Sequence, residues 1–177
     1  YRNYLYNCQG SITVGENKVS CYNGIWHGNE DLFESFAHSC NSSFINIGLM
    51  LDMNSFANTC KGLFFNRNLP TKLEYKPSSF ELNQDSGEFE IMQTSIGQGK
   101  TLVSPLHMAM IASAIANDGV LFEPYIVSKV TNHNGYEVKS YKPTKYGELF
   151  TNDEVNLLKE AMGDVVGNRL ITQEDIE

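Results

Sequence analysis

The chain has 177 residues, 41% of them apolar and 11% aromatic, which is enough for one domain with a real core and too apolar for disorder. Its 13 lysines and arginines stand against 21 acids for a net charge of −8, and no basic stripe stands out, so nucleic acid is not an expected partner. No apolar run approaches the ~18 residues that span a bilayer. Tyr1 to Tyr6 lack the charged start and apolar stretch of a signal peptide, which fits a soluble, untargeted chain or a piece cut from a longer protein.

Residues 8–28 carry Gly10, Gly15, Gly24 and Gly28 among alternating Ile12, Val14 and Val19, the pattern of short strands and loops. Asn29 is then placed to cap a helix over 30–38, with Glu30 and Asp31 at its positive end. A second helix follows over 43–52, with Phe44, Ile47, Gly48 and Leu51 on one face. Ser39-Cys40-Asn41 falls in the polar break between the two, and a third helix is expected over 55–64.

The stretch from 66 to 90, with Pro70, Pro77 and Asp85-Ser86-Gly87, carries no period and reads as loop. The clearest helix runs from Pro105 to Asn117: Ser104 caps it, Pro105 takes the first position and Gly119 follows its end. It is apolar on most of its surface and is expected to be buried on several sides. Within residues 124–142, alternation over 125–130 and 136–141 around Asn132-His133-Asn134-Gly135 predicts a β-hairpin. Thr151-x-x-Glu154 is a capping box opening a last helix, with Leu157, Leu158, Ala161, Met162 and Val165 inward; after Val166 the pattern stops.

Cys8, Cys21, Cys40 and Cys60 form no Cys-x-x-Cys pair, and no histidine pair has ligand spacing, so no metal site is expected. Cys8 with Cys21 is the favoured disulfide in an oxidising compartment, and buried thiols that merely pack are the alternative. Gly99-Lys100-Thr101 looks like the end of a phosphate-binding loop, but Thr94 stands where that loop needs glycine, so no nucleotide cofactor is expected. Leu102 likewise rules out a Lys-Thr-Gly strand at this place. His27 and His38 lie near Ser39 in sequence, yet there is no Gly-x-Ser-x-Gly elbow to support a hydrolase triad.

One set of residues occurs in a telling order: Cys8-x-Gly10, Val19-x-Cys21, His27-Gly28, Ser35-Phe36-Ala37-x-Ser39-Cys40-Asn41, Ile96-Gly97-Gln98-Gly99, Ser104-Pro105-Leu106-x-Met108-Ala109, Ile115-Ala116-Asn117-x-Gly119 and Pro124. Together they resemble the transpeptidase domain of penicillin-binding proteins, of the high-molecular-weight, single-activity kind found in clostridia-like Gram-positive bacteria. The resemblance covers roughly residues 8–166 and leaves 167–177 as a tail of uncertain status, lacking the family's Gly-Thr.

That resemblance implies a mainly α chain with a small hairpin, the helical lobe of an α/β fold whose central sheet is largely missing. It implies that Ser39 and Asn41 are the Ser-x-Asn motif, the hydroxyl relaying a proton, the carboxamide holding lysine and substrate, and Cys40 pointing into the core. No serine is followed three residues later by lysine, and no Lys-Thr-Gly occurs. The expectation is therefore an internal fragment, inactive alone, of a D,D-transpeptidase that binds peptidoglycan stem peptides and β-lactams. The parent would be anchored at the extracytoplasmic face of the bacterial membrane, alongside other cell-wall synthesis proteins. A β-lactamase-like or β-lactam-sensing relative and a non-catalytic scaffold are the competing readings.

Overall fold

Residues 3–168 are described by a computed structural model of the chain. In the glycine-rich opening, β1 (Tyr6–Cys8) pairs antiparallel with β4 (Gly28–Glu30), and β2 (Ser11–Val14) with β3 (Asn17–Ser20). Gly10 is required between the first two strands: its φ is +80°, and a Cβ there would collide with the Gly24 carbonyl.

Asn29 and Glu30 extend β4 instead of opening a helix, so the cap expected at Asn29 moves to Asp31. Asp31 accepts from the Glu34 amide at 2.8 Å while Glu34 Oε2 accepts from the Asp31 amide at 2.9 Å, a reciprocal capping box. The helix α1 is consequently short, Leu32–Ala37. The second, α2, runs from Asn41 to Met50 and buries Ser42, Ser43, Ile45 and Gly48, a more polar face than the expected Phe44-Ile47-Leu51 stripe; Leu51 is exposed. The third, α3 (Met53–Gly62), is capped by Asp52.

The stretch expected as loop from 66 to 90 is irregular up to Gly87 but closes with α4 (Glu88–Ser95), which the sequence reading did not find. Its cap residue is glycine and its apolar residues are few, so little local signal marks it. Ser104 caps α5 (Pro105–Ala116) by accepting from the His107 amide. Only His107, Met110, Ala114 and Ile115 of α5 are buried, and Met108 is 47% exposed, so one face is covered where several were expected. His107 ties the region together, sharing hydrogen bonds with Ser78 Oγ at 2.8 Å and with the Leu63 carbonyl oxygen.

The final third holds β5 (Val120–Phe122) paired with β8 (Lys145–Glu148), and between them the predicted hairpin, β6 (Lys129–Thr131) with β7 (Glu137–Ser140). The Thr151–Glu154 box opens α6 (Asn152–Asn168), on which Val155 and Ala161 are buried and Met162 is exposed. Tail residues from 169 onward lie outside the described residues. Sheets among the described residues are two-stranded only, and the apolar cores are local. One packs Phe64, Leu69, Met110, Ala114 and Leu121, a second Met53, Cys60, Phe80 and Leu82, and a third Cys8, Cys21 and Cys40 under Tyr6.

Candidate functional site

The backbone between α1 and α2 is fixed by a recurrent helix ending. The Cys40 amide donates to the Ser35 carbonyl at 2.9 Å and the Ser39 amide to the Phe36 carbonyl at 3.1 Å, the paired bonds of a Schellman motif. That motif puts one residue in the left-handed region, and here it is Ser39, at φ +53°. Glycine is the usual occupant, because a side chain there costs roughly 1–2 kcal/mol. Ser39 therefore carries backbone strain that glycine would not.

Cys40 follows as the residue preceding α2, fully buried as expected, and Asn41 is the first residue of the helix. Ser39 and Asn41 therefore flank a buried anchor and both line one open cleft of about 310 Å³, with Phe36, Ala37, Phe44, Ser95, Ile96 and Val165. Asn41 Nδ2 donates to the Ser20 carbonyl at 3.0 Å, tying the helix start to the end of β3. Its Oδ1 makes no hydrogen bond among the described residues. Ser95 and Ile96, beside the Gly97-Gln98-Gly99 turn, reach this cleft because α4 packs closely on α2. A Cβ at Gly48 would strike the Ser95 hydroxyl.

Behind the cleft lies a buried polar layer that no periodicity in the sequence announces. Ser43 Oγ donates to Ser35 Oγ at 2.7 Å, joining α2 to α1, and Tyr4 Oη lies 2.9 Å from Ser43 Oγ. Hydrogen-bonded serines at both helices set their separation. His38 ends α1 and shares a 2.7 Å hydrogen bond with Glu30 Oε1, and its ring stacks on His27. Neither histidine is bonded to Ser39 among the described residues, so the Ser-His pairing finds no geometric support. Lys100 Nζ pairs with Glu90 Oε1 at 3.0 Å on the surface; this contact raises the lysine and lowers the carboxylate.

Cys8 and Cys21, the favoured disulfide pair, lie side by side in this structure. The two sulfurs touch at 3.6 Å, and all four cysteines are free thiols. Burial pushes the Cys8 thiol up, but hydrogen bonds from the His27 and Gly10 backbone outweigh it and bring the group down to about 6. Burial drives Cys40 far in the opposite direction, with Glu30 adding to it, and raises Cys60 to about 11.

The expectation of no metal site rested on the lack of ligand pairs close in sequence. Folding instead gathers Cys8, Cys21, His27 and Cys40 from four separate segments, their ligand atoms all within 4.8 Å of one another. Local spacing rules cannot register ligands brought together by tertiary structure.

A model of the penicillin binding protein transpeptidase domain matches the chain over residues 2–175, a span that includes the α1–α2 turn with its polar pair and the α2–α4 contact. The chain belongs to that family. Among curated relatives, the peptidoglycan D,D-transpeptidase PbpA of Mycobacterium tuberculosis is 31% identical over 113 residues, 62% of this chain and 23% of that protein. The chain thus spans about a quarter of that relative's length.

Solved structures share the fold. The D,D-transpeptidase domain of a peptidoglycan glycosyltransferase from Eggerthella lenta matches with a TM-score of 0.82 at 24% identity, covering 93% of this chain and 43% of that one. Penicillin-binding protein A from M. tuberculosis, solved as its penicillin G acyl-enzyme complex, matches with a TM-score of 0.80 at 19% identity over 94% and 39% of the two chains.

Proposed function

We propose that this chain supplies the Ser-x-Asn wall of a peptidoglycan D,D-transpeptidase that works through a serine acyl-enzyme. The observation that carries the reading is the turn itself: Ser39 held left-handed and Asn41 at a helix start, both at one cleft, in a chain of this family. In the complete site a nucleophilic serine attacks the carbonyl of the D-Ala-D-Ala peptide bond, and a lysine takes its proton. The Ser39 hydroxyl passes a proton on to the departing D-alanine amine, while Asn41 Oδ1 accepts from the lysine ammonium or the substrate's N–H. A second stem peptide's amine then displaces the serine and forms the cross-link. A β-lactam acylates the same serine, but the amine its C–N cleavage expels stays tethered in the opened ring, where it occupies the place of the incoming amine and the adduct persists.

These 177 residues contain neither Ser-x-x-Lys nor Lys-Thr-Gly. The nucleophile, its base and the strand that lines the substrate must come from other parts of the protein, which on this reading works at the extracytoplasmic face of the membrane among other cell-wall synthesis proteins. None of the helices among the described residues is long and apolar enough to cross the membrane.

Two measurements test the reading. The isolated chain, incubated with a fluorescent penicillin and weighed intact, gains no acyl adduct; an adduct would place a nucleophile inside it. In the full-length protein, Asn41→Ala slows acylation strongly while stability changes by no more than roughly 1–2 kcal/mol. Acylation at the wild-type rate in that variant would mean the motif is misassigned.

A further inference from the structure

We infer that Cys8, Cys21, His27 and Cys40 form a closed structural zinc site that clamps the Ser39–Asn41 turn from behind. Each ligand comes from a different piece of the fold: the end of β1, the residue after β3, the loop before β4 and the residue preceding α2. The Cys8 and Cys21 sulfurs are 3.6 Å apart, Cys21 and Cys40 3.9 Å, and Cys8 Sγ and His27 Nδ1 3.4 Å. A tetrahedral zinc with bonds of about 2.3 Å to sulfur and about 2.0–2.1 Å to nitrogen requires edges of about 3.8 Å and about 3.5 Å, so these three distances already have the size of a zinc polyhedron. A disulfide needs its sulfurs at about 2.05 Å and would leave the third thiol and the imidazole unused.

The surroundings are those of a ligand set. Cys8 and Cys40 are fully buried and Cys21 nearly so. The Gly10 amide donates to Cys8 Sγ at 3.4 Å, and Ser42 Oγ lies 3.3 Å from Cys21 Sγ, the kind of neighbours that orient metal-bound sulfur. Glu30 Oε2 is buried without a hydrogen-bond partner among the described residues, 3.8 Å from His27 Nδ1. An unpaired buried carboxylate oxygen is costly, and a cation beside it removes much of that cost.

Three thiolates and one imidazole in a tetrahedron select a soft-tolerant ion without geometric demands, which is zinc, and four protein ligands leave no open position for catalysis. The three sulfurs bind as thiolates, each giving a lone pair to the metal, and any S–H proton still present passes to solvent, with no change of oxidation state. Because Cys40 lies between Ser39 and Asn41, the metal fixes both at once. The site itself does not depend on the acyl-transfer reading, since its metal content is measured without any reaction.

The test uses the 177-residue chain, isolated reduced and without oxygen from zinc-supplemented cells. Elemental analysis and native mass are expected to give one zinc per chain. Replacement by cobalt(II) is expected to give tetrahedral ligand-field bands with thiolate-to-metal charge transfer. Cys21→Ser and His27→Gln are expected to weaken zinc binding at least ~10-fold, whereas Cys60→Ser, in a separate core, retains it.

Should those variants misfold, zinc titration into the stripped wild-type chain decides alone, by increased amide-exchange protection at residues 39–42. A folded, reduced wild-type chain that takes up no zinc would overturn the inference. So would an octahedral cobalt spectrum, a Cys8–Cys21 disulfide in the freshly isolated chain, or equal zinc binding by folded Cys21→Ser.

Discussion

The α1–α2 junction and the β6–β7 hairpin are both short local motifs, but they relate to the rest of the chain in opposite ways. At the junction, Ser35, Cys40, Ser42 and Ser43 are fully buried, and their partners, Tyr4 and Cys21, lie far away in sequence. In the hairpin every residue of both strands is exposed, Val138 included, and so is Tyr136 just before β7. Its hydrogen bonds among the described residues are those of its own ladder and of the Asn132–Gly135 turn, and Lys139 lies over the Tyr141 ring. The first is held by tertiary contacts and carries the candidate chemistry; the second is held by itself. Changes at the junction should therefore propagate, and changes in the hairpin should not.

Gly48→Val tests the junction hardest, since the added side chain meets Ser95 where α2 and α4 close on each other. We expect a loss of about 1–3 kcal/mol in denaturant unfolding, typical of overpacking, and a displaced Ser95–Ile96 wall. Unchanged stability would mean that the two helices separate freely. Ser39→Gly goes the other way: relief of the left-handed strain should add about 1 kcal/mol, while Ser39→Ala, with the same backbone demand, stays near wild type. If both variants unfold alike, the turn stores no strain. Val138→Thr on the hairpin should stay within about 0.5 kcal/mol, and a larger loss would show that the arm is coupled to the body.

The smallest expected effect is confined to the start of α6. Hydrogen bonds from the Thr151 amide and hydroxyl hold the Glu154 carboxyl below its ordinary value of 4.5. A carboxylate depressed in the folded state contributes stability that is complete above the unfolded value and disappears as pH falls through the folded one. Protection of the amides in the first turn of α6, measured against their intrinsic exchange rates, should therefore fall as the pH drops below about 4.5. Glu154→Gln should remove that pH dependence.

Elements with strong local punctuation were legible in the sequence. Ser104-Pro105, Thr151-x-x-Glu154 and the Asn-Gly hairpin turn each specify a local boundary: both helices start where expected and the hairpin turn is found, although its first strand begins at Lys129 and not at 125. The motif order around Ser39-Cys40-Asn41 identified the family. What escaped was set by tertiary structure. Asn29 lost its cap role because β4 pairing with β1 claimed it, and α4 has a glycine cap and few apolar residues to announce it. The thiol–imidazole cluster is invisible to spacing because its members converge only after two ribbons and a helix start have formed.

The left-handed serine also bears on the history of sequences like this one. At position 39 the backbone by itself is best served by glycine, so random drift would be favoured by stability and opposed only by selection for the hydroxyl. A copy released from its task would be expected to lose Ser39 before it lost the buried serines behind it, which hold the fold whatever the protein does. On the proposed relay role, a serine kept in that turn across related genes would be a record of continuing use.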